Sequence, residues 1–83
     1  MKIVWDEIKR QANLVKHKGY DFADLTDEFF LGAAIEPTKG SRFKAIGRLE
    51  DGTIVVIFAT LGTEAISVIS MRPASQKERR AVQ

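Results

Sequence analysis

His17 is the one histidine of the chain, and imidazole is the side chain whose ordinary pKa lies near neutrality, so it is the natural candidate for moving a proton in phosphodiester cleavage. Arg48 and Arg72 offer a second kind of chemistry, because a guanidinium presents a rigid fork of N–H donors that matches phosphate oxygens and stays charged at any physiological pH. Lys44 and Ser70 could extend such a phosphate-binding surface, for which RNA is a natural substrate. Glu78 is a candidate acid or base. It also closes the run Ser75-Gln76-Lys77-Glu78, which reads as a capping box and gives the same carboxylate a structural task. His17 has a structural alternative too, as a dipole-stabilising residue at a helix C-terminus. Trp5 reads as a core or interhelix anchor more readily than as a platform for stacked bases.

The elements that must position these groups follow from spacing. Lys2 to Trp5 reads as a short strand, Asp6 as an N-cap, and the stretch to about Lys18 as a helix with Ile8, Ala12 and Val15 at helical spacing on its apolar side. Gly19 suits the stop. Asp21 can cap a second short helix anchored by Phe22, Leu25, Phe29 and Phe30, and Leu31 to Ser41, with two Gly and one Pro, reads as an irregular connection. From Arg42 the period becomes two: Arg42 to Glu50, Thr53 to Leu61 and Glu64 to Arg72 are strands, followed by Pro73 and the capped last helix. If Asp51-Gly52 and Gly62-Thr63 are both two-residue turns, the register is fixed. One face then carries Phe43, Ala45, Leu49, Ile54, Val56, Phe58, Ile69 and Met71 and suits burial under the helices. The other has Ile46, Ile57 and Val68 as an apolar floor, with Lys44 toward one end and Arg48, Ser70 and Arg72 toward the other. Arg48, Val55 and Ser70 lie abreast and Arg72 sits beside Thr53, so two guanidiniums converge on the face the helices leave open. The same cations could instead only solvate an outer sheet face.

The expected fold class is α+β, in the order β-α-α-β-β-β-α, as an antiparallel sheet with helices packed on one face and a C-terminal helix. At 83 residues the chain suits one domain, 1–83, with one core. Hydrophobic residues make up 45% and charged residues 29%, typical of a chain that folds. Cysteine is absent, which excludes disulfides and thiolate metal sites, and a lone histidine argues against a histidine-rich one. No metal or cofactor is expected. The longest apolar run, Ile54 to Ala59, is far short of the roughly 20 residues a membrane-spanning helix needs, and no signal-peptide pattern opens the chain, so no membrane association and a cytoplasmic location are expected. A net charge of +2 is too small to argue for nucleic acid by itself, although basic residues gather at 9–18 and 72–80.

Taken in order, Trp5-Asp6, Lys9, Asn13, Lys16-His17, Phe22, Arg42-Phe43, Gly47-Arg48, Val55-Val56, Ile69-Ser70, Arg72, Ala74 and Glu78-Arg79 resemble the pattern of BrnT ribonuclease toxins across almost the whole chain. The resemblance implies a compact fold related to the RelE-type ribonucleases. It implies an RNA-cleaving toxin that inhibits translation and growth, neutralised by a cognate BrnA-like antitoxin of ribbon-helix-helix type; attack by the RNA 2′-hydroxyl on its own phosphate, with Arg48 and Arg72 stabilising the charge, would let it cleave without a metal. DNA would be reached only through that complex, for which a heterotetramer is one assembly. Carried over by position, the catalytic candidates are His17, Arg48, Arg72 and Glu78, with Lys16, Lys44, Ser70 and Arg79 as RNA contacts. Many relatives have an acidic residue shortly before the Arg-Phe pair, whereas Gly40 and Ser41 precede Arg42 here. A toxin-like module that binds antitoxin or RNA without cleaving it is therefore the competing expectation, and a translation-associated RNA binder without toxicity is a third.

Overall fold

The computed structural model describes residues 1–50 and 52–82. Strand β1 (Lys2–Trp5) leads into helix α1 (Glu7–Lys16), a 3-10 turn (Phe22–Asp24) and helix α2 (Asp27–Gly32). Then come β2 (Ala34–Thr38), β3 (Arg42–Leu49), β4 (Gly52–Leu61) and β5 (Ala65–Pro73), a short helix α3 (Gln76–Arg79) and a closing 3-10 turn (Arg80–Val82). The five strands form one sheet in the order β1-β5-β4-β3-β2. Neighbours are antiparallel except β1, which runs parallel to β5. The α+β class and the C-terminal helix are as expected. The added strand is β2, formed within the segment that reads as an irregular connection.

Side-chain caps set the helix starts. Asp6 accepts from the Ile8 N–H at 2.8 Å, Asp21 from Ala23 at 2.9 Å and Thr26 from Phe29 at 3.3 Å. Each satisfies one of the N–H groups a first turn leaves without an intrahelical partner. Asp21 thus caps only the 3-10 turn, and Thr26 is the cap of α2.

The sheet register departs from the expected one twice. Leu49 pairs with Gly52 and Arg48 with Thr53, two residues away from the pairing that an Asp51-Gly52 turn would set. That turn falls on Asp51, which lies outside the described residues. Glu50, on its near side, has φ of 56°. A slip of two keeps every side chain on its face. Between β4 and β5, Leu61 pairs with Ala65, so the loop is one residue longer than Gly62-Thr63, a slip that would reverse the faces of β5. A bulge reverses them again: Phe58 pairs with Val68 and Ile57 with Ser70, leaving Ile69 as the extra residue. Val68 and Ile66 consequently enter the helix-covered core, Met71 stays there, and Ile69 is only half-buried.

That core joins Phe22, Leu25 and Phe29 to Ala45, Ile54, Val56, Phe58, Ile66, Val68 and Met71, with Trp5 packed against it. Close approach of α2 to β3 requires Gly47, because a Cβ there would stand 2.9 Å from the Phe29 ring and 3.2 Å from the Ala33 methyl. The inward side of α1 is not the one its apolar spacing suggests. Ile8 and Val15 are 80% and 81% exposed, and it is Asn13 that is buried.

The opposite sheet face is not left open either. Ile46 and Val55 are fully buried there with Ala74, and Ala34, Ile57 and Val82 pack against them. The C-terminal segment folds back over an apolar floor, which is the hydrophobic reason for its position.

Candidate functional site

Residues of β3, β4 and β5 stand abreast in rows on this second face. Lys44, Ile57 and Ser70 make one row, Ile46, Val55 and Arg72 the next, and Arg48 and Thr53 the third. Arg48 and Arg72 therefore share a face as expected, but with rows exchanged: Arg72, not Arg48, is abreast of Val55. Strands about 4.8 Å apart and a rise of about 3.3 Å per residue put the two Cα atoms about 12 Å apart on the diagonal. The expected pairing would give the same separation, so long guanidinium side chains can still approach one ligand.

Glu78 organises this face. Its carboxylate accepts from both ends of the Arg72 fork, at 2.8 and 2.9 Å, and from Lys44 Nζ at 3.3 Å. The Ser75 backbone N–H donates to it at 2.9 Å, and the Ser75 hydroxyl in turn accepts from the Glu78 N–H, which completes the capping box. The Glu78 side chain is only 11% exposed. Donation from Arg72, with the Ser75 N–H and Lys44 adding to it, holds the carboxyl far below the usual carboxylate range. So depressed a carboxyl has no proton to give at neutral pH and is a poor proton acceptor. The structure thus gives Glu78 a positioning task. It ties α3 to the sheet and fixes the Arg72 plane, while the Arg72 guanidinium is held more firmly charged by the same pair.

Arg48 is exposed and makes no ion pair among the described residues. Beside the Glu78 cluster lies a cleft of about 510 Å³ bordered by Lys44, Ile46, Ser75, Lys77, Glu78 and Arg80, with Glu36 across from Lys44. Arg79 is exposed and does not line it. Lys77 and Arg80 do, two cations of the 72–80 basic cluster that were not among the expected RNA contacts. Their i, i+3 spacing, from α3 to the residue just past its end, was the available signal.

His17 and Lys16 are placed elsewhere, at the end of α1. Asn13 docks that helix on the stretch of β5 beyond β1: its Oδ1 accepts from the Met71 N–H at 3.1 Å, and its Nδ2 donates to the Tyr20 carbonyl at 2.9 Å. Asn13 thereby fills the place of a missing neighbour strand. His17 caps α1, half-buried, with its ring edge-on to Tyr20 at 6.4 Å. No hydrogen bond links it to Arg48, Arg72 or Glu78 among the described residues. Trp5 is half-buried in the core margin, where its Nε1 donates to Glu7 at 3.4 Å.

Comparison with known proteins fits these observations. Residues 5–78 match the family described as ribonuclease toxin, BrnT, of type II toxin-antitoxin systems. The chain is 60% identical to the Brucella abortus ribonuclease toxin, BrnT, whose crystal structure superposes with a TM-score of 0.85 over 92% of this chain and 99% of that one. No curated protein sequence gives a significant match. Three contacts hold the site's elements together: Gly47 seats α2, Asn13 seats α1, and the Glu78 cap holds Arg72. The match spans all three, and on it this chain belongs to the BrnT family of ribonuclease toxins of type II toxin-antitoxin systems.

Proposed function

We propose that this toxin cleaves RNA by metal-free transesterification on the sheet face that carries Lys44, Arg48, Ser70 and Arg72, and that it arrests translation and growth in the cytoplasm. The observation that carries this reading is the charge of that face. Lys44 and Arg72 share the single carboxylate of Glu78, and Arg48 has no ion-pair partner among the described residues. With every ion pair formed, the face remains positive, and Lys77 and Arg80 extend it along the cleft. A polyanion that must be held while one of its phosphates reacts fits such a surface.

In this mechanism the RNA 2′-hydroxyl attacks the adjacent phosphorus. The P–O bond to the 5′ oxygen breaks, and the products are a 2′,3′-cyclic phosphate and a 5′-hydroxyl end. Arg48 and Arg72 stabilise the negative charge that builds on the phosphorane oxygens. Fixed charge of that kind contributes about 3–4 kcal/mol per donor. Glu78 keeps the Arg72 fork in one plane so that its remaining N–H groups are aimed before substrate arrives. His17, at the end of α1, holds the RNA flank that runs past the sheet face, and water at the exposed face takes the 2′-hydroxyl proton and returns one to the departing 5′ oxygen. Lys16, Ser70 and Arg79 bind flanking phosphates, and a BrnA-like ribbon-helix-helix antitoxin neutralises the enzyme in a heterotetramer that alone contacts DNA.

The test is expression of Arg48→Ala, Arg72→Ala and His17→Ala variants without antitoxin in growing bacteria. Loss of growth arrest is expected for each. Undiminished arrest by all three refutes the assignment, and RNA binding without new ends would favour the non-cleaving module.

A further inference from the structure

An apolar row on α1 has no partner among the described residues. Ile8, Ala12 and Val15 recur at i, i+4 and i+7, which puts them on one side of the helix. Ile8 and Val15 are 80% and 81% exposed. Lys9 and Lys16, seven residues apart and so in line on the neighbouring side, are exposed and make no ion pair among the described residues. Between this basic row and β5 lies a second cleft, of about 240 Å³, bordered by Lys9, Ala12, Asn13, Lys16 and Ile69. Ile69 is there because the bulge ejects it from the sheet ladder.

We infer that this side of α1 is where the antitoxin docks, through an amphipathic helix whose apolar residues seat on Ile8, Ala12, Val15 and Ile69 and whose acidic residues, two turns apart, pair with Lys9 and Lys16. The inference rests on the protein partner that membership of a type II toxin-antitoxin family implies. Aliphatic side chains at the centre of the row offer RNA neither stacking nor charge, so a protein fits better than nucleic acid. A second copy fits worse as well. In a two-fold interface one patch meets itself, and the lysine rows of the two chains would be brought together. An acidic helix matches both the apolar row and its basic border. Seated there it would also compete with RNA phosphate for Lys16 and cover the approach to His17, which explains neutralisation by occlusion.

The probe is the protein encoded beside this toxin's gene, titrated by calorimetry against the full chain. Ile8→Asp/Val15→Asp should raise Kd about 100-fold or more, and Lys9→Glu about 10-fold, in line with losses at interface anchors. All three substitutions are at exposed positions, so circular dichroism and melting should match the unmodified chain. RNA cleavage by these variants should persist, and co-expression of the neighbouring protein should no longer restore growth. An acidic-to-Lys change in the partner that recovers binding to Lys9→Glu would identify the paired carboxylate. Binding of both variants within about threefold of the unmodified chain overturns the inference. So does a dimer of the chain alone that Ile8→Asp/Val15→Asp dissolves without weakening the partner. If the unmodified chain cleaves RNA but does not bind the neighbouring protein, the partner and this surface fall together while the ribonuclease reading stands.

Discussion

Replacing Glu78 with Gln removes one charge and almost no volume. Gln can keep the capping interaction with the Ser75 N–H, since Glu and Gln both serve at that position of a capping box. What it loses is the charge that the Arg72 fork and Lys44 share, at 2.8, 2.9 and 3.3 Å. Hydrogen bonds to charged groups contribute about 1.5–3 kcal/mol when well shielded. Arg72 is 37% and Lys44 26% exposed, so solvent screening reduces the expected loss to about 1–2 kcal/mol. For a domain of this size that lowers Tm by about 4–16 °C. The loss should depend on pH in a defined sense. The folded-state carboxyl lies well below its unfolded value, so the unfolded chain binds more protons on acidification and the contribution is complete above the unfolded carboxylate pKa. It fades as pH falls below that value. Urea denaturation of Glu78→Gln and the parent chain at pH 7, repeated downward in pH, should show two stability curves that converge in acid. A difference below about 0.3 kcal/mol at pH 7, or one that stays constant into acid, refutes the account of Glu78 as the counter-ion that fixes Arg72.

Gly47→Ala should destabilise by about 1–3 kcal/mol in denaturant titration, because the Phe29 ring and the Ala33 methyl leave no room for a Cβ. Asn13→Ala should cost about 2–3 kcal/mol and speed hydrogen exchange at the Met71 amide, which loses its acceptor. Arg48→Ala, at an exposed position, should leave stability within about 0.5 kcal/mol and lower the rate of RNA cleavage by about 100-fold or more.

Side-chain faces of β3 and β4 were legible from the two-residue period, because a register error of two preserves them: Ala45, Ile54 and Val56 lie in the helix-covered core where alternation puts them. The bulge at Ile69 was not legible. It depends on the length of the Gly62 loop, and nothing in the local residue pattern of β5 distinguishes Ile69 from Val68. Strand β2 hides for a different reason. It is an edge strand with Pro37 in it and exposed Ile35, Glu36 and Thr38, so it lacks the alternation that marks a strand with one buried face. Helix α1 misleads through its apolar residues: the position that meets the sheet edge must satisfy the open Met71 N–H, which Asn13 can do and Ile8 or Val15 cannot. At the site, Ser75 and Glu78 announced their capping box, and tertiary packing alone revealed that the same carboxylate is also the partner of Arg72 and Lys44.

Attack by the RNA's own hydroxyl on the arginine-lined sheet face dictates the ends that cleavage leaves. Purified chain should cut RNA in the presence of EDTA, and the fragments should carry 2′,3′-cyclic phosphate and 5′-hydroxyl termini. Cleavage that EDTA abolishes, or fragments with 3′-hydroxyl and 5′-phosphate termini, would contradict it.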